Sequence, residues 1–478
     1  MPHSSAPDRT AADRAATRVA PTDRLAWLAA WAVVTGLMLW PALWNGFPLI
    51  YADTGGYLMR PVTGTLSIGR SALYGSFLLA GMPLDFWPVV IVQAGITAWL
   101  IVTVMRLIAG ARPLAAVLVG LALAILTALP WYAAQLMPDV MAGWAVLALV
   151  LLVVRPDALP RWQAVLLAAV VAVAIAAHMG TLALCIGLLG CVTAYGVAAH
   201  LVRRTVPLPR PKLGTAAAAV AAGLLLAPLS NLALTGHFAF TPGGSSFLFG
   251  RLVQDGIVGR YLDQHCPDPA ISLCPYRDKL PATADEWLWT HASPLYRLGN
   301  WQGYGDESAR IAAATLRLYP LDHLAAAARA TAGQLVLFRT TLAVSPGDNA
   351  DALDALGRLL PPDALARFHD ARQQREKPDV AALNLVHVPA AVLAVMVTLY
   401  GIAGGRRRVP VPTRLLCGAV LLALLGNAAV CGVFSNPNDR YQSRLIWLAV
   451  LAAGVMLSAR PRESGDPDAN PGFPLARE

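Results

Sequence analysis

Runs of about 20 apolar residues, each able to cross ~30 Å of hydrocarbon, recur along this chain and constrain its fold more than any other feature. Ten such runs can be read: Leu25–Trp44, Phe86–Ile108, Leu114–Leu129, Val140–Val154, Ala164–Ala177, Leu182–Leu201, Ala216–Leu234, Leu383–Gly404, Leu415–Phe434 and Leu445–Ser458. Backbone N–H and C=O groups in lipid have no water to bond, so each run is expected to be a helix. A soluble chain of 478 residues that is 56% hydrophobic and 14% charged could not hide so much apolar surface. The expected fold is therefore an all-α polytopic membrane protein of about ten spans.

Basic residues set the expected orientation. Arg9, Arg14, Arg18 and Arg24 precede the first run; Arg106, Arg112, Arg155, Arg161, Arg203, Arg204, Arg210 and Lys212 lie in alternate connections. Arg406, Arg407, Arg408, Arg414, Arg460 and Arg462 continue the alternation. Both termini are then cytosolic, the first span acts as an uncleaved signal anchor, and the net charge of +9 faces anionic headgroups rather than nucleic acid. The richness in Ala, Arg and Pro suggests a bacterial inner membrane. Residues 1–22 and 460–478 read as disordered cytosolic ends, 23–234 and 383–459 as membrane modules, and 235–382 as a mainly helical periplasmic segment. Within that segment, Leu316–Phe338 reads as a helix lying on the membrane or on the bundle, and Asp348–Arg375 as one or two polar helices.

Four cysteines, Cys185, Cys191, Cys417 and Cys431, fall inside apolar runs, where the residue behaves as a small hydrophobe. Cys266 and Cys274 are eight apart in the periplasmic segment. A disulfide suits an oxidising compartment; two free thiols, or a metal site with His265, remain alternatives.

Polar chemistry collects on the periplasmic side. The loop Asn45–Asp85 carries Asp53, Tyr57, Arg60, Arg70 and Tyr74. Asp53 sits in Tyr51-Ala-Asp-Thr-Gly-Gly-Tyr57, where an Asx-turn is the structural alternative to a chemical role. Asp139 follows Met137-Pro138 at the start of the fourth run, where proline pre-sets a helical turn and the carboxylate meets the positive helix end. Helix capping is its structural alternative. His178 stands between the fifth and sixth runs, as a site residue or in interfacial packing. The last loop, Ser435–Arg444, contributes Arg440, Tyr441 and Arg444, whose planar guanidinium forks suit phosphate. Arg251 ends a Gly-Ser-rich stretch, Gly243 to Gly250, that reads as a flexible loop or an anion nest.

These motifs, in this order and on one side of the membrane, resemble the GT-C fold membrane glycosyltransferases, which use polyprenyl-phosphate-linked sugars. That superfamily includes dolichyl-phosphate-mannose mannosyltransferases and lipid A aminoarabinose transferases. The carriers are Asp53-Thr-Gly-Gly-Tyr57-Leu58; Arg70-Ser-Ala-Leu-Tyr74-Gly, which lacks the two prolines of the family's pattern; Met137-Pro138-Asp139; and Arg440-Tyr441. The resemblance implies an inverting hexosyl- or pentosyl-transferase. Asp53 would be the catalytic base or donor-positioning acid, and Asp139 a second acid that polarises the acceptor or helps hold a divalent metal. Tyr57, Arg60, Arg70, Tyr74, His178, Arg251, Arg440, Tyr441 and Arg444 would bind substrate. The acceptor is a lipid, glycan or protein, and metal use varies within the superfamily. A transporter or flippase for a lipid-linked sugar and a non-catalytic envelope assembly protein are the competing classes. The former is disfavoured because the spans carry few ionisable residues.

Overall fold

The computed structural model describes residues 21–201, 213–342, 349–376, 380–403 and 409–459. The expected disordered ends lie outside the described residues, apart from the start of the first helix. So do the orientation-marking arginines of 9–18, 203–210, 406–408 and 460–462, with Lys212.

Among the described residues the chain is helical, with one isolated bridge and no strand. Seven helices are long and apolar enough to cross a membrane: Asp23–Asn45, Trp87–Leu107, Gly180–Ala198, Leu213–Thr235, Val380–Ala403, Val411–Phe434 and Asp439–Ser458. Three more of the expected runs form the shorter apolar helices Pro113–Leu126, Val140–Val154 and Arg161–Ala177. This is the helix set of a multi-pass membrane protein.

Val140–Val154 is the hub. All 15 residues are buried, so a helix only ~22 Å long touches protein on every side. Its close fit with the final helix, Asp439–Ser458, depends on Gly143. A Cβ there would lie 2.5 Å from Cζ2 of Trp447. Trp447 donates Nε1–H to the Arg444 carbonyl at 3.0 Å, and Trp144 donates to Thr97 Oγ1 at 2.8 Å. Buried indoles with satisfied N–H groups fix the rotation of both helices.

At the Asp139 end of the bundle, two connecting segments are stitched together. Leu49 N–H donates to Ala134 O at 3.0 Å, and Leu136 N–H to Leu49 O at 2.8 Å. Thr54 Oγ1 adds a bond to Leu136 O at 3.2 Å. The stretch after Leu49, expected as a loop, becomes the helix Ala52–Thr63. Asp53 therefore stands in its first turn rather than in an Asx-turn, where a carboxylate favours the helix dipole. The following helix, Ala72–Gly81, presses close, because Gly75 has no side chain: a Cβ would sit 2.2 Å from Tyr57 O.

The segment between Thr235 and the helix Asn384–Ala403 has its own core around Phe249, Trp287 and Tyr304, with ring centroids 5.2 and 5.7 Å from Phe249. Cys266 and Cys274 form a disulfide there. Leu316–Phe338 is not one helix: Asn300–Leu318 ends at Tyr319, and Pro320–Val336 continues and packs on Val411–Phe434. Pro320 cannot donate the N–H that an unbroken helix needs. Beyond it come Ala350–Leu359, Pro362–Asp370 and Arg372–Arg375.

Two buried glutamines of this segment clamp the membrane-end loops. The Gln373 amide accepts from Ile50 N–H at 3.0 Å and donates to Ile50 O at 2.9 Å. The Gln334 amide does the same to Asn438, at 2.8 Å each way. Each satisfies a backbone donor and acceptor that burial would otherwise strand.

Candidate functional site

Two carboxylates, three arginines and a histidine meet where those clamped loops converge. Asn438 caps the final helix by accepting from Arg440 N–H at 3.0 Å. Arg440 and Arg444, four apart, share one helix face. Arg440 grips Asp139 with two bonds, Nε to Oδ1 at 3.1 Å and Nη2 to Oδ2 at 2.7 Å. Its remaining Nη1 donates to Asp53 Oδ2 at 3.1 Å, and its guanidinium lies 4.0 Å from the Tyr51 ring centroid. Arg444 Nη1 donates to Asp139 Oδ1 at 3.1 Å and to His178 Nε2 at 2.8 Å. Arg70 completes the set, Nη2 to Asp53 Oδ1 at 2.5 Å.

The electrostatics divide the two acids. Burial alone raises the Asp53 carboxyl, but Arg70 and then Arg440 overcome it and hold the group below the usual carboxylate range. Asp139 is lowered too: burial opposes ionisation, and Arg440 and Arg444 outweigh it. Burial, reinforced by the Arg444 charge, drops His178 to about 3. His178 is thus a neutral imidazole that accepts at Nε2, which leaves its proton on Nδ1. Three guanidinium charges against two carboxylates give the cluster a net charge of +1.

A cavity of about 380 Å3 opens onto this cluster, lined by Asp53, Tyr57, Arg70, His178, Arg440, Tyr441 and Arg444, with Met179, Phe247, Val430 and Phe434 as its apolar part. Asp53 is 24% exposed and borders the cavity, whereas Asp139 is fully buried and does not. Each of the four carboxylate oxygens accepts from a guanidinium. That donor set suits an anion in the cavity better than a divalent cation. Among the described residues no group of three or more His, Cys, Asp or Glu side chains converges as a metal site.

Other expected site residues fall elsewhere. Tyr74 sits one layer back, its ring centroid 5.2 Å from that of Tyr57 and its hydroxyl donating to Gln93 Oε1 at 2.8 Å. Arg60 is turned away, donating to Asn231 Oδ1 at 3.0 Å. Arg251 is outside the cluster, because its stretch is the helix Gly244–Gln254 rather than a loop or nest, and the side chain pairs with Asp255. That i,i+4 Arg–Asp spacing was available in the sequence. Tyr51, Phe247 and Trp289 were missed. Trp289 places its ring centroid 5.8 Å from the Arg70 guanidinium, a contact between distant segments that no local pattern signals.

No family model, curated protein or solved structure matches the chain.

Proposed function

We propose that this protein is an integral membrane glycosyltransferase that moves a sugar from a polyprenyl-phosphate donor to a lipid, glycan or protein acceptor. In this reading about ten helices cross a bacterial inner membrane, both termini are cytosolic, and the cavity faces the periplasm. The observation that carries it is the cationic cluster beside the one accessible carboxylate, in a cavity whose other wall is apolar. A lipid phosphate presents that combination of negative head and greasy body.

The acceptor hydroxyl attacks the anomeric carbon as the bond from that carbon to the phosphate oxygen breaks. Asp53 takes the hydroxyl proton, and the phosphate leaves with the electron pair. Arg440, Arg444 and Arg70 stabilise the charge that develops on it. As found, Asp53 is a weak base, since two arginines hold it ionised. A phosphate that draws Arg70 and Arg440 toward itself removes those counter-charges. Burial then raises the proton affinity of Asp53, so donor binding itself activates the base. Asp139 is a positioning residue: it holds both arginines of the final helix and touches nothing in the cavity.

The test uses purified protein in nanodiscs, radiolabelled polyprenyl-phosphate sugars and membrane extract. Wild type is expected to release or transfer label, and Asp53→Asn is expected to fail while folding normally. Near-normal turnover by Asp53→Asn removes the base assignment. No turnover with any donor favours a transporter or an assembly protein.

A further inference from the structure

Beside the carboxylate site lies a second cavity, of about 400 Å3, that the chemistry above does not use. One wall is the helix Ala52–Thr63 and the loop after it; the other belongs to the segment with its own core. Three aromatic side chains, Trp289, Tyr296 and Trp301, line it together with the amides of Asn300 and Gln302. Trp289 remains 45% exposed. An indole left open to water retains an unrealised hydrophobic gain of the kind a flat apolar ligand face would recover. Asn300 has a positive φ of 61°, and its Oδ1 is committed to Trp301 N–H at 2.8 Å. Flat apolar faces beside amide groups match a pyranose, whose C–H face is apolar and whose rim is hydroxylated.

The cavity also carries an unbalanced charge. Arg60 lines it and is 1% exposed. Its partners are neutral: Asn231 Oδ1 at 3.0 Å and Ser67 O at 3.4 Å. Its Nε has no acceptor, and among the described residues no carboxylate pairs with it. A buried cation without a counter-ion is costly. An anion bound in this cavity would offset that cost.

Arg70, the partner of Asp53, also lies against the edge of this cavity. Gly56, a helical turn beyond Asp53, lines the second cavity. Arg70 passes directly over it: a Cβ on Gly56 would meet Arg70 Nε at 3.2 Å. The Arg70 guanidinium lies 5.7 Å from the Tyr57 ring centroid in the first cavity and 5.8 Å from that of Trp289 in the second.

We propose that the second cavity holds the acceptor as an anionic saccharide, a sugar bearing a carboxylate or phosphate. Its ring faces lie on Trp289 and Trp301, and its acid group is held by Arg60. This rests on the glycosyltransferase reading and names its acceptor class. Arg70, which reaches from Tyr57 to Trp289, then stands between the two sugars, and when it swings to the donor phosphate it opens the path from the acceptor hydroxyl to Asp53.

The experiment titrates the full-length protein in nanodiscs with methyl glucuronide, glucose 6-phosphate and neutral methyl glucoside, followed by calorimetry and tryptophan fluorescence. One anionic probe should bind saturably, at least about tenfold more tightly than the neutral one; which of the two does so identifies the acid group. Trp301→Ala and Asn300→Gly, the latter keeping the positive φ accessible, should each weaken that binding about tenfold. Binding of polyprenyl phosphate should stay unchanged in both. No saturable binding, equal binding of the neutral glycoside, or unaltered binding in both variants overturns the proposal. Sugar transfer without such binding overturns it while sparing the glycosyltransferase reading. Saccharide binding by a protein that never cleaves the donor overturns the acceptor role and the transferase reading together.

Discussion

The two aspartates share an arginine, yet their surroundings differ. Asp53 sits in the first turn of a helix beside a cavity, partly exposed, between Arg70 and Arg440. Asp139 lies at the start of the buried hub helix, has no exposure, and is chelated by Arg440 and Arg444. Removing a partner that borders a cavity leaves the remaining guanidinium groups within reach of that cavity. Removing a wholly buried one strands two guanidinium groups. A carboxylate's contact list therefore says less about its role than whether solvent or substrate can reach it.

The largest effects should separate the two residues. Asp139→Asn should lower unfolding free energy by about 3–5 kcal/mol, as breaking a buried ion pair from one side does; thermal unfolding in detergent reads this. Asp53→Asn should cost less stability than Asp139→Asn yet reduce sugar transfer by about 10²–10⁴-fold. Equal destabilisation by both variants would break the comparison. Gly143→Ala tests the hub directly: the added methyl meets Trp447 at 2.5 Å and should cost about 1–3 kcal/mol by overpacking, measured by the same melts.

Acid should find His178. The folded protein holds it neutral down to about 3, against 6.5 for a free imidazole. Stability from this group is complete above pH 6.5 and declines as pH falls toward 3. Because His178 is partly open to the cavity, about 1–2 kcal/mol should be lost by pH 5. His178→Gln should flatten the pH dependence of the unfolding midpoint in that range. The smallest effect on transfer belongs to Arg251→Ala, which breaks a pair that lines neither cavity and should leave transfer activity within about twofold of wild type.

The helices were legible because lipid leaves a backbone no alternative: each expected apolar run is a helix, and seven helices are long enough to cross a membrane. Cys266 and Cys274 were legible as a pair because proximity in sequence brought them within reach. Met137-Pro138-Asp139 announced a helix start. What stayed hidden depends on distance along the chain. Nothing near Gln373 says that its amide will clamp Ile50, 323 residues earlier, and nothing near Trp289 says that it will meet Arg70. Arg251 and Arg60 were read as site residues by residue type and membrane side. Asp255 and Asn231, which occupy them, are a helical turn away and on another helix respectively. Gly55 and Gly56 suggested a loop, but both stand inside a helix whose N-terminal end follows the clamped Ile50.

Asp139 and its counter-ions are about 300 residues apart in the chain. A ribosome makes the hub helix long before it makes Arg440 and Arg444. Throughout that interval the nascent bundle carries an acid at the head of a helix destined for complete burial, without the two arginines that pair with it in the finished protein. The unfinished protein must keep that helix end near water, or keep the acid protonated, until the last span arrives. The final helix is therefore the step that neutralises the buried acid, and a chain stopped before residue 439 lacks both guanidinium groups that pair with Asp139.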